Sequence, residues 1–242
     1  MIMIAVTING KKSEVERGTT ILKAAAALNI KIPTLCNHEL LEPYGACRLC
    51  LVEIVEGDRS TVTTSCNYPI TKPLVVETES KTAVKARRMV LEMLLARCNT
   101  SPELDRLAAK HGLSGSRFEL RYDDCILCGL CERVCREVVG ANAITFAQRG
   151  AERVVVPPFG GEAEQCIGCG ACVYVCPTGA IQIQEDGDQK IIDRWSRVLE
   201  LKYCKACGVE VAPAFQCDYF QKKADLPEDF FDLCRDCRVA SR

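Results

Sequence analysis

The apolar and polar positions divide this chain into many short elements. Residues 2–8 form a β-rich run, Asn9-Gly10 is a hairpin signal, and residues 12–16 return as a second strand. Thr19 or Thr20 caps a helix running to about Leu28, rich in alanine at 24–27, and Ile32-Pro33 ends it. Strands are predicted at 51–55 and 74–77. Ser80 caps a helix over 82–96, with Val84, Met89, Val90, Met93 and Leu94 as its apolar stripe and Lys85, Arg87 and Arg88 opposite. Ser101-Pro102-Glu103 opens another helix to about His111, and Gly112 stops it. Short helices are predicted at 131–139 and 172–175, strands at 143–146 and 180–184, a strand or helix at 195–201, and a short helix at 227–232.

Cysteine changes this picture. The chain has 242 residues, of which eighteen are cysteine and only two are histidine. A disulfide framework is one use of so many thiols; metal binding in a reducing compartment is the other. Residues 1–12 lack the basic region and long apolar run of a signal peptide, and no stretch approaches 18 uninterrupted apolar residues. The expected setting is soluble and cytoplasmic. A net charge of −1 with dispersed basic residues gives no nucleic-acid footprint.

Two identical spacings stand out: Cys125-x2-Cys128-x2-Cys131-x3-Cys135, then Cys166-x2-Cys169-x2-Cys172-x3-Cys176-Pro177. This is the ligand run of a bacterial two-cluster ferredoxin written twice, in which the fourth cysteine ligates the other cluster. Cys125, Cys128, Cys131 and Cys176 are thus assigned to one [4Fe–4S], and Cys166, Cys169, Cys172 and Cys135 to the second. Thirty residues separate the runs, more than a compact ferredoxin needs; an insertion at 149–161 with an apolar run at 154–156 takes up the excess. Upstream, Cys36-x10-Cys47-x2-Cys50 and Cys66 fit a [2Fe–2S] loop in a β-grasp ferredoxin. A zinc site is the alternative for these four, although zinc ligands usually come as two close pairs. Downstream, Cys204-x2-Cys207 and Cys234-x2-Cys237, with 26 residues between the pairs, read as a four-cysteine zinc ribbon. A rubredoxin-like iron or a further iron–sulfur cluster is the alternative there, and Cys217 is spare in the zinc reading. Cys98 reads as a buried thiol, and His38 and His111 as surface or capping residues.

The segment IPTLCNHELLEPYGACRLCLVEI around the first ligand loop resembles the N-terminal module of the large iron–sulfur subunit of respiratory NADH dehydrogenase. The same module occurs in diaphorase subunits of NAD-linked nickel–iron hydrogenases, in iron-only hydrogenases and in NAD-linked formate dehydrogenases. The resemblance departs at one place. The family's one-His, three-Cys cluster motif, H-x3-C-x2-C-x5-C, is absent, and only Cys98 and His111 stand in that region. An α+β chain of four parts is expected: a β-grasp [2Fe–2S] domain (1–78), a helical linker in place of the missing cluster (79–120), a two-[4Fe–4S] ferredoxin domain (121–190) and a zinc-ribbon-like tail (191–242). No G-x-G-x-x-G or P-loop is present to bind NAD in this chain. The resemblance therefore implies a flavin- and NAD(H)-binding partner subunit. It also implies a second redox partner: a hydrogenase, a formate dehydrogenase, another substrate subunit or a ferredoxin. Electron bifurcation occurs in such complexes. The alternative is a free-standing multi-cluster carrier.

Overall fold

The computed structural model describes residues 2–121 and 123–240. The chain forms two compact units, residues 1–130 and 131–242.

In the first unit, strands β1 (Met3–Ile8), β2 (Lys11–Glu16), β3 (Leu51–Glu56), β4 (Arg59–Thr64) and β5 (Leu74–Glu77) make one sheet in the order β2-β1-β5-β3-β4. Asn9 and Gly10 both take left-handed backbone, with φ of 49° and 76°, as a two-residue hairpin turn requires. The Asn9 side chain also ties this turn to the end of β5, through a 2.7 Å bond to Thr78 Oγ1 and a 2.8 Å bond from the Thr78 N–H. The central β1–β5 pair is parallel, and the other pairs are antiparallel. Helix α1 (Ile21–Ala27) lies on the sheet, its first turn capped by Thr20 Oγ1, which accepts from the Lys23 N–H. Its Ile21, Ala24 and Ala25 are buried with Val6, Ile8, Val52, Ile54, Ile70 and Val76. Each fully buried valine or isoleucine here contributes about 1.5–3 kcal/mol. Strand β4 follows a Gly57 turn and was not among the predicted strands.

Helices α2 (Lys81–Arg97) and α3 (Pro102–Lys110) form a hairpin after the sheet. Ser80 caps α2 by accepting from the Ala83 N–H at 3.1 Å. The predicted stripe of α2 needs correction. Its buried face is Ala83, Arg87, Val90, Leu91 and Leu95, while Met89 and Met93 are exposed. Arg87 sits on that face because its guanidinium donates to the Thr78 carbonyl and the Glu79 carboxylate just beyond β5. A charged residue with local acceptors defeats a stripe chosen by hydrophobicity. On the facing helix, Leu104 and Leu107 are buried.

The second unit begins within α4 (Leu130–Arg133), which runs into a π-helical turn (Val134–Val139) that carries Cys135. Strands β6 (Thr145–Ala147) and β7 (Val154–Val156) pair as a hairpin, so the apolar run of the insertion folds back on the preceding strand. Helix α5 (Ala171–Tyr174) follows the second cysteine loop. The strand predicted at 180–184 is instead mostly an extended connection. Its Ala180 carbonyl is taken by Arg194 Nη1 at 3.2 Å instead of a ladder partner.

Strands β8 (Gln184–Asp186), β9 (Gln189–Ile192), β10 (Arg197–Tyr203) and β11 (Glu210–Pro213) then form an antiparallel sheet in the order β11-β10-β9-β8. A 3-10 turn (Asp193–Trp195) links β9 to β10, so 195–201 resolves as a strand preceded by a turn. The boundary expected at 190/191 falls inside β9, because one sheet joins the end of the ferredoxin region to the tail. Helix α6 (Ala214–Lys223), unpredicted, packs on β10 and β11 and anchors Tyr219 and Lys223 on the Val139 carbonyl, at 3.0 and 2.7 Å. The helix expected at 227–232 shrinks to a 3-10 turn (Phe230–Asp232), and α7 (Arg235–Ala240) ends the described chain.

Candidate iron–sulfur and metal centres

The first centre lies in the β-grasp unit. The 28–50 loop leaves α1 without regular structure, and Cys36, Cys47 and Cys50 sit on it, while Cys66 follows the end of β4. All four are buried. Their thiols meet in two pairs. Cys36 keeps its proton and donates to Cys47, whose thiol is held down to about 6. Cys66 does the same for Cys50, which is also held near 6. The Cys47 N–H points at Cys36 Sγ from 3.4 Å, the kind of donor that stabilises charge on ligand sulfur. Gly45 has φ +73°, and a Cβ there would stand 2.7 Å from Asn67 Nδ2, so the approach of the loop to the β4 end needs a residue without a side chain. Four thiols with no carboxylate or imidazole among them form a soft donor set that suits iron–sulfur or zinc.

The second centre is in the other unit. Cys135, Cys166, Cys169 and Cys172 line one small hollow. Every other lining residue is apolar or glycine, Trp195 and Ile192 among them. The last cysteine of the first run thus faces the first three of the second run. The Ala143 N–H donates to Cys135 Sγ at 3.4 Å, which is why the strand predicted at 143–146 begins later. Trp195 Nε1 stands 3.5 Å from Cys172 Sγ. Burial raises the thiols of Cys135 and Cys166, and pushes that of Cys172 up to about 12. Free thiols in so apolar a hollow stay protonated; binding a cationic centre would displace those protons. Cys169 is exposed, unlike its neighbours. At Gly168, with φ +72°, a Cβ would meet Leu199 Cδ1 at 2.5 Å and Pro213 Cγ at 3.0 Å, so β10 and β11 press directly on this cysteine loop.

The remaining cysteines of the runs are placed as follows. Cys125 is half-buried, its sulfur accepting from the Leu127 N–H at 3.3 Å, and Leu127 takes left-handed backbone to aim that donor. Cys128 and Cys131 are buried. Cys176 is half-buried, 3.6 Å from Thr178 Oγ1.

The third constellation is the knuckle. Cys204 and Cys207 flank the turn between β10 and β11; Cys234 precedes α7 and Cys237 lies on it. The four sulfurs all lie within 4.8 Å of one another, and Cys207 and Cys234 are 3.7 Å apart. Backbone N–H groups, that of Cys234 foremost, hold the Cys204 thiol down to about 6. Cys217 is buried in α6 and is not one of this group. Cys98 is fully buried, its thiol 3.2 Å from the Asp124 carbonyl and pushed up to about 11 by desolvation. His111 is the C-cap of α3, and His38 Nδ1 accepts from the Leu40 N–H.

Trp195 and Arg197 also belong to the second centre, and no motif in the sequence marks them. Trp195 reads as the start of an apolar run, and no local signal shows where its indole points. The fold and the cysteine sets define an iron–sulfur electron-transfer protein of the ferredoxin type, with one β-grasp module followed by a double-cluster module.

Comparison with known proteins narrows this class. A 2Fe-2S iron-sulfur cluster binding domain matches residues 2–81, a 4Fe-4S dicluster domain matches 119–183, and a second dicluster model matches 165–219. The NADPH-Fe(3+) oxidoreductase subunit alpha of Geobacter sulfurreducens is 37% identical over 204 residues, covering 74% of this chain and 24% of the relative. The NADP-reducing hydrogenase subunit HndD of Solidesulfovibrio fructosivorans is 38% identical over 213 residues, covering 75% of this chain and 36% of the relative. A chain in the crystal structure of an NAD+-reducing [NiFe]-hydrogenase in the H2-reduced state aligns with TM-score 0.56 and 31% identity, covering 64% of this chain and 74% of that one. The chain belongs to the family of iron–sulfur subunits of NAD(P)(H)-linked oxidoreductases and hydrogenases. It spans between a quarter and about a third of the length of these two curated relatives. Among the described residues, no helix is long and apolar enough to cross a membrane.

Proposed function

We propose that this chain relays single electrons inside a multi-subunit NAD(P)(H)-linked oxidoreductase. It stands between a flavin- and nicotinamide-binding subunit and a second redox subunit, such as a hydrogenase or a formate dehydrogenase. The ligand sets are Cys36, Cys47, Cys50 and Cys66 for a [2Fe–2S]; Cys135, Cys166, Cys169 and Cys172 for one [4Fe–4S]; and Cys125, Cys128, Cys131 and Cys176 for another. The last set rests on the spacing of the two runs. The knuckle holds a single zinc ion. When bound, iron–sulfur clusters take up and release one electron at a time.

The chain's own contribution is to hold thiolates, exclude water and aim N–H groups at sulfur. The hollow shared by Cys135 with Cys166, Cys169 and Cys172 is the observation that carries this reading. A run that served only its own cluster would not send its fourth thiol there. Eighteen cysteines, none in a disulfide among the described residues, fit a reducing cytoplasm. Spectroscopy on Cys135→Ser tests the ligand sets. The cube whose other ligands are in the second run should lose or change its EPR signal, with the remaining two centres unaltered. Disturbance of the other cube instead would overturn the assignment. Purification from the native host as a lone monomer would sink the subunit role in favour of a free carrier.

A further inference from the structure

We propose that Trp195 sets the reduction potential of the cluster held by Cys135, Cys166, Cys169 and Cys172, by donating its indole N–H to the ligand sulfur of Cys172. This rests on the ligand assignment just made. Trp195 is 1% exposed. A buried indole N–H needs an acceptor, and the wall of the hollow is apolar apart from sulfur. Its Nε1 lies 3.5 Å from Cys172 Sγ.

The position of the ring is built in from several sides. The Trp195 carbonyl accepts from the Ala163 N–H at 3.0 Å, just before the second cysteine loop. Ser196 then takes left-handed backbone, with φ 48°, and turns the chain into β10. Two residues after Trp195, Arg197 Nε donates to the Cys166 carbonyl at 3.0 Å, and its Nη1 pairs with Glu162 at 2.5 Å. Leu199 reaches over Gly168. Residues 195–199 therefore grip the loop at its start, at its first ligand and at its glycine, and the indole completes the grip on the third ligand.

The chemical consequence has a definite sign. Reduction adds one electron and breaks no bond, and the proton stays on the indole nitrogen. Negative charge on the ligand sulfurs grows, so a donor aimed at sulfur favours the reduced form and raises the potential. A ring that only fills space would leave the potential alone when its N–H is removed.

The test uses the full chain with its clusters loaded. Trp195→Phe keeps an aromatic ring and deletes the donor. In a redox titration followed by EPR, one cube should shift about tenfold towards the oxidised form, a midpoint about 59 mV lower for a one-electron couple. Iron content and the other two centres should not move. An unmoved midpoint, or an equal shift of all three centres, overturns the proposal. Should the variant not fold, the wild type still decides. Trp195 is the only tryptophan in the chain, so an indole-15N label reports on it alone. A 15N coupling to the reduced cube in pulsed EPR supports the proposal, and its absence refutes it. Cys135→Ser separates the two failures. If it alters a cube whose potential ignores Trp195→Phe, only the role of Trp195 falls; if it alters none, the ligand assignment falls and the proposal with it.

Discussion

Removing the metal from the knuckle should unfold the C-terminal segment while the ferredoxin modules stay loaded. A tetrahedral zinc with Zn–S of about 2.3 Å sets its ligand sulfurs about 3.8 Å apart. Cys207 Sγ and Cys234 Sγ are 3.7 Å apart, and all four sulfurs lie within 4.8 Å. That spacing suits one ion, whereas a cluster places several metal atoms between its thiolates. The dicluster match over 165–219 takes in Cys204, Cys207 and Cys217, so a cluster here is the reading to beat. Cys217 stays buried in α6, away from the group.

Beyond the bonds of Tyr219 and Lys223 to the Val139 carbonyl, little else holds this segment. No residue from 218 to 240 is buried. Its ion pairs, Lys202 and Lys205 with Asp232, lie at the surface, where such pairs contribute about 0–1 kcal/mol each. A structural zinc site contributes about 10–16 kcal/mol by comparison. Cys207→Ser, or a zinc chelator, should therefore remove one zinc per chain. It should also free the Lys205 N–H, bonded to the Asp232 carbonyl at 2.8 Å, and the Arg238 N–H, bonded to the Cys234 carbonyl at 3.0 Å, to exchange with solvent. Elemental analysis and hydrogen exchange read these two outcomes. A loss of about four irons with no zinc present, or unchanged protection of both amides, would refute the reasoning.

Three further outcomes are expected. Gly168→Ala forces a side chain at φ +72° against Leu199 and Pro213, and should cost about 2–5 kcal/mol of local stability, read as faster exchange across β10 and β11. Leu104→Ala empties a fully buried position in the α2–α3 hairpin and should cost about 2–5 kcal/mol in denaturant titration, with iron content unchanged if this hairpin packs without metal. Thr20→Ala removes the cap of α1 and should cost about 1 kcal/mol, seen as a lower unfolding midpoint with the [2Fe–2S] signal retained.

Much of the local structure was legible in the order of residues. Asn9-Gly10 makes its turn, Thr20 and Ser80 cap their helices, and Pro102 stands first in α3 as expected, although the Ser101 hydroxyl makes no capping bond. The two caps act through bonds only three residues long. The cysteine spacings likewise announced soft-metal chemistry, because a two-residue gap is itself a geometric device for wrapping a centre. Strand β4 and helix α6 were missed because mixed, mostly polar runs such as 59–64 carry no clear period, and packing on neighbours decides them.

The rest was decided by contacts between distant residues. Hydrophobicity put Arg87 on the outer face of α2, yet acceptors at Thr78 and Glu79 draw it inside. Cys217 could have joined the knuckle by sequence alone, but α6 buries it elsewhere. The indole of Trp195 reaches Cys172 across 23 residues because β9 and β10 turn back over the second cysteine loop. The order of residues sets which thiols exist and how tightly each run can curl. Which thiols share a hollow and which N–H groups face them follows from the folded chain, since both depend on where a sheet brings separate stretches together.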